Sequence, residues 1–268
     1  MKNSVYGVVK AALDCDDVAT KLTAVEDLLS RWQNAELHRR SQAAAERILV
    51  AGVPAYLNFV APRRLVQRGL QSQEGRAALV HAIAHIEFNA INLALDAVYR
   101  FRDMPCQYYD DWLHVAAEEA QHFQLVATHL DELGYQYGDF PVHSGLWDMA
   151  LHTADDVLVR MALVPRVLEA RGLDVTPAMI KRFESSGDAR FADVLRIILR
   201  DEIGHVEIGT RWFHYCCDER GLDSLSKFKQ LFRQYTDARV KLPLHREARL
   251  QAGFSNDELD YLEGIKDV

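Results

Sequence analysis

The sequence predicts an all-α protein in which a four-helix bundle is flanked by further helices on both sides. Three observations predict this class. The 268-residue chain has only 14 glycines and 7 prolines, and no segment shows the two-residue period of a strand. Apolar residues recur instead at three- and four-residue spacing over long stretches. The pattern Glu-x-x-His also occurs twice, at 119–122 and 202–205, as if one helical arrangement were repeated.

The first part of the chain, about residues 1–70, is predicted to be a helical extension that precedes the bundle. Helices are expected over 3–13 and about 18–50, where apolar residues follow the helical period. The stretch 51–64 contains one glycine and two prolines and is predicted to be a loop.

The bundle itself is predicted over about residues 73–218. Asp110 and Asp188 suit the N-cap positions of its second and fourth helices, and Gly134 and Gly172 suit the ends of its second and third. The four helices are predicted at about 73–101, 111–133, 146–171 and 189–218.

Two prolines affect the third bundle helix and the short segment after it. Pro165 predicts a kink or local break, because proline lacks a backbone donor. Thr176 followed by Pro177 is typical of a helix start, and a short helix is expected at about 177–185.

A C-terminal helical extension is predicted over about 223–268. Its first helix covers 223–240 and is broken by Pro243. A final short helix begins at Ser255, with Glu258 three residues later as a capping box. Bundle and extensions are together predicted to form a single domain over residues 1–268.

The two Glu-x-x-His copies are the candidate chemistry of the chain. Residues three apart share one face of a helix, so Glu119 lies beside His122 and Glu202 beside His205. Both pairs are flanked by apolar or small residues, which indicates that they face the interior.

Each copy is preceded by one further glutamate at a matching distance. Glu87 lies 32 residues before Glu119, and Glu169 lies 33 residues before Glu202. Both lone glutamates also sit among apolar residues, and burying an uncompensated carboxylate costs several kcal/mol. Six such groups converging on two divalent cations would remove that cost, so the sequence predicts a two-metal site.

Two further histidines lie close to Glu87 in sequence. His81 and His85 are one turn apart, on a helix face that also carries Asn89 and Asn92. We interpret them as groups that support the ligands or lie at the surface, with a direct ligand role left open.

Composition narrows the classes of function and compartment. The net charge is −8, so no basic stripe is available to follow nucleic acid. No run of 18 apolar residues occurs, so no membrane association is expected. The four cysteines form no C-x-x-C pair, which excludes a zinc ribbon or rubredoxin-type iron site, and they are expected to be reduced thiols of a cytoplasmic protein.

The six-residue pattern resembles the ferritin-like di-iron carboxylate superfamily, and the chain is similar more narrowly to the family DUF455. The resemblance spans nearly the whole chain. It rests on HAIAHIEFNAINLALDAVYRF (81–101), EEAQHFQLVATHLDELG (118–134), PRVLEARGLDVTP (165–177), RDEIGHVEIGTRWF (200–213) and LHREARLQAGF (244–254).

The superfamily resemblance implies a left-handed ferritin-like four-helix bundle with two metals bridged by carboxylates. It implies that Glu119 and Glu202 are the bridging ligands. The terminal ligands of the two metals would then be Glu87 with His122, and Glu169 with His205. Fold resemblance alone implies no particular substrate.

The ligand set suits iron, manganese or zinc, and iron is favoured because members of the superfamily commonly use it. The predicted function is an oxidase or hydroxylase that uses O₂ and an external electron donor on an unidentified small molecule. The chain could act as a homodimer.

The alternative is a metal-binding, ferroxidase or metal-detoxification protein without an organic substrate. A ferritin cage is less favoured, because about 70 residues precede the bundle and about 50 follow it. A rubrerythrin-like peroxidase would need a C-x-x-C iron site, and this chain has no C-x-x-C pair. A ribonucleotide-reductase subunit would have tyrosine where Val126 stands, and the acidic charge disfavours a tRNA-hydroxylating enzyme. A third class is an interaction protein that has lost its metals.

Overall fold

The computed structural model describes residues 3–40, 44–66, 68–236 and 240–265, and all regular elements in these ranges are helical. The predicted all-α class is therefore confirmed. The helices are α1 (Val5–Asp14), α2 (Val18–Gln33), α3 (Gln73–Arg100), α4 (Cys106–Glu132), α5 (Gly145–His152), α6 (Val157–Leu163), α7 (Ala170–Ser185), α8 (Ala189–Glu219), α9 (Ser224–Tyr235), α10 (Arg246–Gln251) and α11 (Asn256–Gly264). A 3₁₀ turn covers Pro62–Arg64, and a π-helical turn covers Val164–Glu169.

The chain divides into two compact units, Met1–Leu151 and His152–Val268. In the first unit, α3 packs along α4, α1 packs on α3, and α2 packs on α4. In the second unit, α6, the π-turn and α7 pack against α8, while α9 contacts α6 and α8. A single domain over residues 1–268 stays a prediction.

Helix α3 forms the centre of the first unit. Its N-cap Ser72 accepts a hydrogen bond from the amide of Gly75, which satisfies one of the free donors at the helix start. Valine, isoleucine, phenylalanine and alanine side chains are buried along most of its 28 residues. A mostly buried helix of this kind can hold a carboxylate at a fixed position in the interior.

In the second unit, α8 begins where the sequence predicts. The Asp188 side chain caps the helix by accepting a hydrogen bond from the Phe191 amide. Farther along, a Cβ on Gly209 would lie 2.2 Å from the Cβ of Pro165. Glycine at this position therefore lets the π-turn approach the α8 backbone closely.

The predicted helix over 18–50 is wrong beyond residue 33. Helix α2 ends at Gln33, and Ala35 takes the left-handed conformation with φ of 56°. This conformation ends a helix, but it is usually occupied by glycine or asparagine. An alanine at this position therefore did not predict the helix end. Residues 41–43 of that prediction lie outside the described residues. The predicted loop over 51–64 is confirmed, apart from its short 3₁₀ turn.

The prediction that Asp110 caps α4 is wrong, because Asp110 lies inside the helix. The helix begins four residues earlier, at Cys106, with Pro105 before it. The Asp110 carboxylate instead accepts a 2.6 Å hydrogen bond from the indole Nε1 of Trp32. Its role is therefore to connect α4 with α2.

The predicted third bundle helix over 146–171 consists of several elements. Asp156 caps α6 by accepting from the Leu158 amide, and this second start separates α6 from α5. The local break predicted at Pro165 is confirmed as the π-turn. The stop at Gly172 and the start at 177 are wrong, because α7 runs from Ala170 through both. Packing of α7 on α8 outweighs these local signals.

The C-terminal predictions are confirmed in part. Helix α9 ends at Tyr235 rather than at 240, and residues 237–239 of that prediction lie outside the described residues. The capping box is present: Ser255 Oγ accepts from the Glu258 amide, and the Glu258 carboxylate accepts from the Ser255 amide.

Among the described residues, α3 is long and apolar enough to cross a membrane, but 78% of its most apolar window is buried inside the protein. Core helices of soluble proteins meet the same criteria. The cytoplasmic compartment stays a prediction.

Lys21 is a buried cation in the first unit. Its Nζ donates to Asn92 Oδ1 at 2.5 Å and to the Leu13 carbonyl at 3.2 Å, and it lies 5.3 Å from the centre of the Phe88 ring. In the described chain no carboxylate pairs with it. Burial lowers the pKa of Lys21 to about 8.

Lys21→Met is expected to remove a pH dependence of folding stability. The folded state holds fewer protons than the unfolded state between pH 8 and the ordinary lysine pKa, so stability rises with pH there. The wild type should gain on the order of 3 kcal/mol relative to the variant over this window. Urea unfolding at several pH values measures the difference. The exposed-lysine variant Lys181→Met serves as control, and parallel profiles for wild type and Lys21→Met would contradict the expectation.

Candidate metal centre

Three predicted ligands meet inside the first unit. Nδ1 of His122 lies 3.4 Å from a carboxylate oxygen of Glu87 and 3.4 Å from one of Glu119. The potential ligand atoms of the three residues all lie within 4.8 Å of one another. Glu87 comes from α3 and the other two from adjacent turns of α4, which the packing of these helices brings together. This is a buried cluster of oxygen and nitrogen donors that could hold a metal ion.

Burial and neighbouring charges shift the pKa values of His122 and Glu87 in this cluster. Burial lowers the pKa of His122, but the two carboxylates outweigh burial, and the net shift of its pKa is upward. Burial raises the pKa of Glu87, and the nearby Glu119 carboxylate raises it further against the opposing effect of His122. When both carboxylates are ionised, the single imidazolium leaves an excess negative charge in the interior.

One carboxylate oxygen of the cluster indicates that the cluster suits a cation. The Oε2 atom of Glu87 is buried and makes no well-directed hydrogen bond within the described part of the chain, although Nδ1 of His122 lies 3.4 Å from it. A buried carboxylate oxygen that lacks such a hydrogen bond is costly, and coordination to a cation reduces that cost. A metal ion bound here must displace the proton of His122, so uptake is expected to release protons.

The other three predicted ligands lie in the second unit. Glu202 and His205 are neighbours on α8, with Glu202 Oε1 4.0 Å from Nδ1 of His205. His205 is buried, and Glu202 is partly buried with 12% of its side chain exposed. Glu169 is the last residue of the π-turn, which packs against α8. The assignment of all six residues to one two-metal site stays a prediction.

The surface interpretation of His81 and His85 is wrong, because both are buried. His81 Nε2 accepts from the Gly138 amide at 2.8 Å. His85 Nδ1 pairs with the Tyr137 hydroxyl at 2.7 Å, and its Nε2 lies 3.1 Å from the His143 carbonyl. The segment around 136–143 covers these rings. The sequence of α3 alone could not predict where that segment lies. The existing partners of His85 occupy both ring nitrogens, which argues against a ligand role.

Sequence reasoning missed Arg166, three residues before Glu169 on the π-turn. Its side chain is fully buried and pairs with Glu258 at 2.7 Å. An arginine one turn from a predicted ligand, within an otherwise apolar stripe, was the available signal.

Comparisons with known proteins give a family and a relative. The model of the family described as "Protein of unknown function (DUF455)" matches residues 14–260. A protein of Haemophilus influenzae (strain ATCC 51907 / DSM 11121 / KW20 / Rd), named "Uncharacterized protein", is 49% identical over 224 residues. The match covers 81% of this chain and 78% of that protein. No solved structure matches.

Proposed function

Because the chain belongs to the DUF455 family, whose description specifies no chemistry, we propose a function from its buried carboxylates and imidazoles. It is a di-metal carboxylate protein, and with iron bound it is an O₂-dependent oxidase or hydroxylase of a small molecule. The observation that carries the proposal is the cluster of Glu87, Glu119 and His122, which gathers two carboxylates and an imidazole in the interior.

Six residues are proposed to bind two divalent metals. Glu87 with His122, and Glu169 with His205, are the terminal ligands. Glu119 and Glu202 would be the bridging ligands, as the superfamily resemblance implies. Two observations support this set: the repeated spacing in the sequence, and the arrangement of each Glu-x-x-His pair on one helix face within its own unit. The resemblance to ferritin-like di-iron proteins rests on the same pattern.

Two Fe(II) ions held by these residues would supply the reduction of O₂ needed to oxidise a substrate. The protein holds the ligands on long, packed helices, which keeps their geometry constant. Helices α3 and α4 surround the carboxylates of Glu87 and Glu119 with buried aliphatic and aromatic side chains, which exclude bulk water. His122 gives up its proton when a metal binds.

The alternative is a non-cage protein that binds or oxidises metal without an organic substrate. It uses the same ligands, but no organic molecule is oxidised after oxygen has been reduced. The oxidase proposal includes an external electron donor and a second copy of the chain in a homodimer. Both can be measured directly.

Metal analysis and oxygen consumption test the proposal. Protein isolated from iron-replete cells is expected to contain about two transition-metal ions per chain, as the doubled ligand set requires. Anaerobic loading with Fe(II) followed by O₂ should consume oxygen, and catalytic consumption in the presence of a reductant should require a substrate. Metal content well under one ion per chain, after reconstitution with iron, manganese and zinc, would refute the di-metal proposal. Oxygen use that stops when the iron is oxidised would favour the alternative.

A further inference from the structure

The π-turn over Val164–Glu169 places Arg166 and Glu169 on one six-residue segment. A π-turn amounts to one extra residue in an α-helix and is less stable than regular helix, so it persists only where its surroundings hold it. Return to regular α-helix would rotate the following residues by about 100° relative to the preceding ones. The direction of the Glu169 carboxylate therefore depends on whatever maintains this turn.

Arg166 connects the π-turn with α8 and with the residues that begin α11. Its Nε donates to Thr210 Oγ1 at 3.2 Å, and its Nη2 donates to Glu258 Oε1 at 2.7 Å. The same Glu258 carboxylate accepts from the amide of Ser255 at 2.9 Å. The guanidinium is thus bound in two directions by donors fixed in one plane, a rigid fork that the ammonium group of lysine does not provide.

Three aromatic rings complete the surroundings of this guanidinium. Its Cζ lies 4.7 Å from the centre of the Phe213 ring and 4.5 Å from the centres of both the Phe228 and Phe254 rings. These distances are those of cation–π contacts. We call Arg166, Thr210, Glu258 and the three phenylalanines the arginine cage. Its members come from the π-turn, α8, α9 and the region of α11.

Stability alone gives a weak reason for such an arrangement. Replacing a buried ion pair with apolar side chains of similar volume is often neutral or stabilising. The fork contacts instead tie the segment to two partners, Thr210 on α8 and Glu258 on α11. The close approach of Pro165 to Gly209 acts in the same sense, since it holds the turn against α8.

We propose that Arg166 is a positioning residue for the metal ligand Glu169: the arginine cage holds the π-turn against α8 and so directs the Glu169 carboxylate toward the α8 face that carries His205. The inference rests on the proposed function, because it concerns one of the two proposed metals. Arg166 itself does not bind that metal.

Titration of the full-length apo-protein with Co²⁺ tests the inference. The wild type is expected to bind two ions per chain, followed by their visible absorption bands. In Arg166→Lys the first ion should bind as in the wild type, while the second binds 10- to 100-fold more weakly, as is usual when support of a ligand is lost. Arg166→Met and Glu258→Gln should behave alike, and Glu258→Gln remains informative if either arginine variant does not fold.

A buried ion pair in the first unit provides the matched control. Arg100 donates to both oxygens of Asp96, and Arg100→Met removes that pair far along the chain from the π-turn. It should lower stability and leave the second Co²⁺ affinity unchanged. Amide hydrogen exchange of the apo-proteins gives a metal-independent measure: exchange over 164–170 should be at least tenfold faster in Arg166→Lys and unchanged in Arg100→Met.

The outcomes separate the two proposals. Two ions of wild-type affinity in every arginine-cage variant would overturn the positioning role while leaving the di-metal function intact. Equal weakening in Arg100→Met would also overturn it, because the effect would then be general destabilisation. A wild type that binds no Co²⁺, Fe²⁺ or Mn²⁺ would overturn the proposed function and the positioning role together.

Discussion

Glu119→Ala is expected to remove both metal ions, reducing the metal content from about two ions per chain to well below one. In the proposed bridging role Glu119 would serve both metals, so its loss would open both coordination spheres. Glu119 is fully buried, with a carboxylate oxygen 3.4 Å from Nδ1 of His122. Glu202→Ala should have the same effect, because Glu202 occupies the corresponding place in the second copy of the pattern. Mass-spectrometric metal analysis after iron loading and desalting measures the content.

A neighbouring glutamate provides the control for this expectation. Glu118 precedes Glu119 by one residue on α4, which turns it about 100° away around the helix. Glu118→Ala should therefore retain about two ions per chain. If either Glu119→Ala or Glu202→Ala retained full metal content, the bridging assignment would be wrong. Retention of one ion would show that the residue serves only one of the two metals.

Glu87→Gln is expected to make the apo-protein more stable and the metal-loaded protein less stable than the wild type. Without metal, the neutral amide removes the excess negative charge of the buried cluster, which leaves Glu119 and His122 as a balanced pair. The gain should be on the order of 1 to 3 kcal/mol at pH 8. With metal in excess, the wild type gains binding free energy that the variant lacks, and the order reverses.

The pH dependence of this gain follows from the pKa of Glu87, which burial and Glu119 raise in the folded protein. A raised pKa means that the wild type loses stability as pH increases above the ordinary glutamate pKa. Near that pKa and below it, Glu87 is protonated in both states and the advantage of glutamine should disappear. Denaturant unfolding with a chelator, at pH 5 and pH 8, measures the difference. The same stability order with and without metal would contradict metal binding at Glu87.

Helices α3 and α8, which carry three of the six candidate ligands, could be predicted from the sequence, and the reasons are physical. Helix α3 has a Ser72 cap and a long apolar pattern, and α8 begins after the capping Asp188. Local signals and packing agree there. Where they conflict, packing prevails: α7 continues past Gly172 and Pro177 because it lies against α8.

Other features depend on contacts distant in sequence and could not be predicted. The burial of His81 and His85 depends on the segment around Tyr137, 52 residues beyond His85. Ala35 ends α2 in a conformation that its side chain does not favour.

Convergence of Glu87 with His122, in contrast, was predictable because both lie on long helices with clear apolar faces.

The arginine cage also has a consequence for the order of events during synthesis. Arg166 and its partner Glu258 are 92 residues apart in the chain. At ribosomal rates of about 5 to 20 residues per second, the counter-charge emerges roughly 5 to 20 s after the arginine. Until then the π-turn lacks the contacts that maintain it. Metal capture by Glu169 is therefore expected only after Glu258 has emerged and joined the arginine cage.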